Sequence, residues 1–120
     1  MGNRLARAKL ARAAARLNAG VGLPAIILLT DDGRLADPLA AARALPKGAA
    51  VIVRARAPAR RAQLAGALAE IAHARDLILL IADDPELAIR CGAHGVHFPE
   101  AKAARAHYWR ARRPNWLITC

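Results

Sequence analysis

Short apolar runs of strand length alternate with segments of helical spacing along most of this chain. The most informative stretch runs from Leu77 to Glu100 and reads LILLIADDPELAIRCGAHGVHFPE. Leu77 to Ile81 form a five-residue apolar run that leads into the polar pair Asp83-Asp84 and then Pro85. An Asp N-cap followed by Pro in the first turn is a strong helix start, and Gly92 is placed to stop the helix. A second short run, Gly95 to Phe98, then ends at Pro99. The pattern is strand, helix, strand, with polar side chains at the carboxyl end of each strand. Parallel strands need such a crossover, and ligands of parallel α/β folds bind at those carboxyl ends.

The same unit recurs along the chain. Pro24 opens the apolar run PAIILLT, which leads into Asp31-Asp32-Gly33. Asp37-Pro38 repeats the helix start, with a short helix over 39–45 closed by Pro46-Lys47-Gly48. AAVIV at 49–53 reads as a strand running into Arg54-Ala55-Arg56, and Pro58 precedes a long helix over 59–75 with Leu64, Leu68 and Ile71 at helical spacing. After the Leu77–Phe98 unit, 100–110 reads as a helix broken near Pro114, and 116–119 begins a fifth strand. Ahead of all this, residues 3–17 set Leu5, Leu10 and Leu17 among alanines and arginines, which predicts a basic N-terminal helix. The division is therefore a helical segment over 1–22 and an α/β domain over 23–120.

Near-continuous apolar strands joined by helices predict a parallel sheet covered on both faces. Two α/β architectures fit: an open doubly wound sheet or a (β/α)8 barrel. Open nucleotide-binding sheets usually carry a Gly-rich loop after the first strand, whereas this chain has Thr30-Asp31-Asp32-Gly33 there. A TIM-type (β/α)8 barrel is favoured, with about the first five of its strands in the 120 residues.

Composition narrows the functional classes. No apolar run approaches the roughly 18–20 residues of a membrane span, and Arg or Lys interrupts the N-terminus too often for a signal peptide. With only two cysteines, no disulfide framework or metal-ligand spacing is present, and a cytoplasmic protein without a membrane partner is expected. The net charge of +10 lies on the flanks, because residues 31–100 balance nine basic against nine acidic side chains. Such flanks suit a nucleic-acid surface, but aromatic residues for base stacking make up only 3% of the chain. Nucleic acid is therefore disfavoured as a partner.

The segment order resembles that of the thiamine phosphate synthase / TenI superfamily, (β/α)8 barrels of thiamine biosynthesis. The apolar run ending in Thr30-Asp31 resembles the family's first strand, and VIVRAR at 51–56 resembles its Gln-x-Arg-x-Lys motif. LLIADDPELAIRCGAHGVHFPE resembles the pattern Ile-Asn-Asp-x-x-x-Leu-Ala followed by Gly-Ala-x-Gly-Val-His-x-Gly-Gln. Ile118-Thr119-Cys120 resembles the opening of its Ile-Gly-x-Ser-x-His-Ser segment.

The resemblance implies a transferase that joins a pyrimidine methyl pyrophosphate to a thiazole phosphate, with Mg²⁺ assisting release of pyrophosphate. Arg54 and Arg56, two apart at a strand end, would leave the same face and grip phosphate oxygens. Asp83 matches a Mg²⁺ ligand, although the residues alone allow Asp83 or Asp84 to serve merely as the helix cap. His97 matches the family's His after Gly-Val and, with Glu100, is a candidate for proton transfer. Several positions depart from the pattern. Ile52 and Ala82 replace the family's Gln and Asn, and Pro99-Glu100 replaces Gly-Gln. Lys102 stands where the second metal-binding Asp belongs, and it repels a cation while suiting a phosphate. Strands six to eight, which carry a barrel's phosphate-binding loops, would follow Cys120.

Little or no synthase activity is therefore expected of the 120 residues alone, and two open sheet edges are expected to favour an oligomer. Two alternatives stay open. One is a TenI-like thiazole tautomerase relying on His97 or Glu100, which needs no second metal ligand. The other is a non-enzymatic module that binds through its basic flanks.

Overall fold

The computed structural model describes residues 26–30 and 37–120. The expected N-terminal helix over 3–17 and the Asp31-Asp32-Gly33 segment lie outside the described residues. Five strands form one parallel sheet: β1 Ile27–Leu29, β2 Ala50–Val53, β3 Ile78–Ala82, β4 Gly95–His97 and β5 Leu117–Thr119. The intervening helices are α1 Pro38–Arg43, α2 Pro58–Arg75, α3 Pro85–Cys91 and α4 Ala103–Arg112, the last preceded by a 3₁₀ turn at Glu100–Lys102.

Spatial order follows chain order, β1-β2-β3-β4-β5, with every neighbouring pair parallel. A doubly wound sheet reverses its strand order at a switch point, and none occurs among the described residues. Consecutive right-handed crossovers without reversal are how a (β/α)8 barrel is wound. The described residues thus form a five-strand, barrel-type α/β sheet whose edges are β1 and β5.

Local sequence explains where the helices begin. Asp37 Oδ1 accepts the Ala40 N–H at 3.0 Å and Asp84 Oδ1 accepts the Leu87 N–H at 3.1 Å, each with Pro opening the helix behind it. Each side chain satisfies an N–H that the helix itself cannot bond. Gly92 ends α3 at φ +69, as the sequence suggests. Asp76 ends α2 in the same left-handed region at φ +55, a conformation short polar residues tolerate better than most. α4 runs to Arg112, two residues beyond the expected end at 110, and Arg113 caps it just before Pro114.

The core lies between the sheet and the helices. Val51, Val53, Leu79, Ile81, Val96 and Ile118 turn toward Leu64, Leu68 and Ile71 of α2, Leu87 of α3 and Ala106 of α4. The alternate positions Ala50, Ile52 and Leu80 are buried as well but stay outside this cluster, since successive strand residues face opposite sides. Both faces of the central strands are therefore covered, and β2 is buried along its whole length. All four aromatic residues lie between 98 and 116. Phe98 is fully buried, and Trp109 of α4 stacks on Trp116 at 5.6 Å between ring centroids, holding α4 against the β5 end of the sheet.

Gly95 of the GAHGVH motif has a steric reason. A Cβ there would stand 1.8 Å from the Leu117 carbonyl oxygen, a backbone atom of β5 that cannot swing aside. Gly95→Ala is therefore expected to force β4 and β5 apart and cost about 1–3 kcal/mol, the range of overpacked sites, read as a lower denaturation midpoint. The two thiols should also differ. Burial pushes the Cys91 thiol up from its ordinary pKa, whereas Cys120 is exposed. Because the thiolate is the reactive form, labelling at pH 8 should modify Cys120 first, with Cys91 rising only at more alkaline pH; equal rates would contradict this.

Candidate functional site

The carboxyl ends of β2, β3 and β4 open into a cleft of about 450 Å³. Arg54, Arg56, Arg61, Asp83 and His97 contribute its polar lining, with Leu29, Ala82 and Pro99 as apolar walls. Parallel pairing brings these residues together: Val53 lies opposite Ile81 and Ala82 opposite His97, so the residues just past each strand share one rim. Arg54, Arg56, Asp83 and His97 were all legible as rim residues from sequence, and all four line the cleft.

Backbone geometry fixes each of them. Thr30, a buried polar residue just past β1, accepts the Arg54 N–H at 2.8 Å through Oγ1 and donates to the Arg54 carbonyl at 3.1 Å. Its hydroxyl thereby clamps the end of β2 and sets the place from which the Arg54 side chain departs. Arg61, in the first turn of α2, donates through Nη1 to the Ala55 carbonyl at 2.6 Å and through Nε to Asp84 Oδ2 at 3.0 Å. That one guanidinium ties the loop after β2 to the cap of α3. The Asp83 N–H donates to the His97 carbonyl at 2.8 Å, extending the β3–β4 ladder by one residue. His97 Nδ1 and Thr119 Oγ1 share a hydrogen bond at 2.7 Å, which orients the imidazole from β5.

The adjacent carboxylates divide their work. Asp84 is the helix cap and the partner of Arg61. Asp83 sits at φ +50, outside both strand and helix geometry, where a non-glycine residue is uncommon. Strain of this kind is kept where surrounding contacts enforce it. Here the backbone is held by the Asp83 N–H bond to the His97 carbonyl, and the carboxylate meets two cations: Lys102 Nζ donates to Asp83 Oδ2 at 2.5 Å and Arg105 Nη1 donates to Oδ1 at 3.0 Å. Arg105 also lies over the Phe98 ring, 5.7 Å from its centroid. Glu100 opens the 3₁₀ turn as an exposed residue and is not part of the cleft lining.

The residues do not fit a magnesium ion at Asp83. Mg²⁺ demands near-octahedral oxygen ligation and is usually bound through one or two carboxylates. Both Asp83 oxygens already receive cationic donors, Asp84 is engaged elsewhere, and no group of three or more His, Cys, Asp or Glu suited to a metal occurs among the described residues. Two like unit charges about 4 Å apart repel by about 4 kcal/mol at an effective dielectric near 20, and a dication doubles that before solvent screening. The Lys102 ammonium and a metal would compete for the same carboxylate.

Three participants were not singled out from sequence for these roles. Arg105 follows Lys102 by three residues and so shares its helical side, a spacing visible in the sequence. Arg61 and Thr30 gave no comparable signal, because their partners lie 23 and 24 residues away in the chain.

The family model described as thiamine monophosphate synthase matches residues 25–120. No curated protein and no solved structure matches the chain significantly. No helix among the described residues is long and apolar enough to cross a membrane.

Replacing Thr30 by Val keeps the volume but removes both bonds to Arg54. We expect a loss of about 1–3 kcal/mol, the cost of leaving part-buried backbone groups unpaired, measured by urea unfolding. Unchanged stability would mean that water replaces the hydroxyl without penalty.

Proposed function

The chain belongs to the thiamine monophosphate synthase family, and on that premise we propose that it binds a phosphorylated pyrimidine or thiazole of thiamine biosynthesis in the rim cleft. It does so as a thiamine phosphate synthase-like protein whose capacity for the coupling reaction is impaired. The observation that carries this reading is the convergence of Arg54 and Arg56 with Asp83 and His97 on one cleft at the strand ends. Coupling a pyrimidine methyl pyrophosphate to a thiazole phosphate releases pyrophosphate, so the barrier is lowered chiefly by cations placed where negative charge gathers. Guanidinium groups meet phosphate oxygens with parallel N–H donors, which orient the group as well as neutralise it. The impairment lies at Asp83, since a carboxylate held by Lys102 and Arg105 is not available to a metal assisting the leaving group.

A second reading, a TenI-like thiazole tautomerase, draws support from the His97–Thr119 hydrogen bond. Moving a proton between positions of a thiazole phosphate needs one oriented acid–base group and no leaving-group metal. An imidazole held by a neighbouring hydroxyl suits that task.

Direct binding and turnover separate these readings. Thiazole phosphate should bind the wild-type protein, and Arg54→Ala should weaken it about 10- to 100-fold, the worth of a hydrogen bond to a charged group. Calorimetric titration that finds no binding would overturn the proposal. Incubation with both phosphorylated precursors should give little or no thiamine phosphate, and rapid turnover would remove the claim of impairment. Tautomerase activity that survives His97→Ala unchanged would eliminate the second reading.

A further inference from the structure

The cations around Asp83 do more than block a metal. Two carboxylates at this rim would carry two negative charges and call for a divalent ion to balance them. Asp83 with Lys102 is already neutral, and Arg105 makes the cluster net positive. Lys102 and Arg105 come from the 3₁₀ turn and the first turn of α4, and reach Asp83 across 19 and 22 residues of chain. Their side chains remain about half exposed, at 46% and 47%, while Asp83 is 26% exposed. One ammonium N–H and one guanidinium N–H face Asp83, so the remaining donors are available to a ligand.

We propose that Lys102 and Arg105, steered by Asp83, form a metal-independent anion site on the rim that holds a phosphate or pyrophosphate group where a divalent cation would otherwise mediate. This rests on the reading that the cleft takes phosphorylated ligands, and it adds how their charge is met. Asp83 is a positioning residue: its oxygens draw both cations to the β3 end, beside the cleft that Arg54 and Arg56 line. The ammonium is then a point charge for the phosphate, and the guanidinium supplies directed donors from its place over Phe98. The exposed setting makes the Asp83 pairs themselves weak sources of stability, so their removal should register in binding more than in folding.

Titrating inorganic pyrophosphate into the full chain in EDTA tests this, together with Mn²⁺ titration followed by electron paramagnetic resonance. Pyrophosphate is expected to bind in EDTA, to weaken tenfold or more in Lys102→Met, and to weaken severalfold in Arg105→Gln. Wild type is expected to bind no stoichiometric Mn²⁺, whereas Lys102→Asp should acquire it, with circular dichroism checking that each variant stays folded. Pyrophosphate binding that requires a divalent ion, stoichiometric Mn²⁺ on the wild type, or no pyrophosphate binding under any condition would overturn the inference. If pyrophosphate binds in EDTA but thiazole phosphate neither binds nor competes, the anion site stands and the thiamine-pathway reading falls. If thiazole phosphate binds while pyrophosphate needs a metal, the reverse holds.

Discussion

Parallel pairing of β2 with β3, in the register Ala50↔Ile78 to Val53↔Ile81, is the constraint on which the rest of this structure depends. Both strands run the same way with a helix between them, so their carboxyl ends finish level with one another. Arg54 and Arg56 on one side and Asp83 on the other are then neighbours whatever lies between them in the chain. The register holds because Val51, Val53, Leu79 and Ile81 must all face the helices. A slip by one residue would turn that apolar set to the opposite face.

On that frame, the rim is organised by charge. Asp84 and Arg61 join α3 to the loop after β2, while Asp83, Lys102 and Arg105 join β3 to the turn that opens α4. Two adjacent aspartates thus serve different ends. The first leaves the strand at φ +50 and faces the cations, and the second returns to capping geometry and starts a helix. The left-handed residue is the pivot between the two roles. A carboxylate at that pivot binds the donors around it, and Lys102 makes the pair self-neutralising.

Family membership and the departures from the family pattern meet at this point. The frame is retained: a parallel sheet in sequential order, arginines after β2, an aspartate after β3 and a histidine ending β4. Ile52 and Leu80 make the inner face apolar, and Ala82 lines the cleft where the family pattern has an amide side chain. At the same rim, Asp83 is paired with Lys102 and Arg105. His97, tied to Thr119 on the neighbouring strand, is the imidazole of the cleft lining.

Much of this was determined by the sequence alone. Apolar runs, Asp-Pro helix starts and Gly92 specify strands and helices to within a few residues, because those signals act through neighbours in the chain. The same runs place Arg54, Arg56, Asp83 and His97 at strand ends, and the absence of a Gly-rich loop favours the barrel-type order that the sheet then shows. Other features were decided only by the tertiary structure, since they join residues that local rules do not connect. The choice between Asp83 and Asp84 as cap depended on Arg61, Lys102 and Arg105. The need for Gly95 came from the approach of the Leu117 carbonyl, and the clamp on Arg54 from Thr30 across the sheet. In each case the deciding partner lies about 20 residues away and is brought near only when the sheet forms.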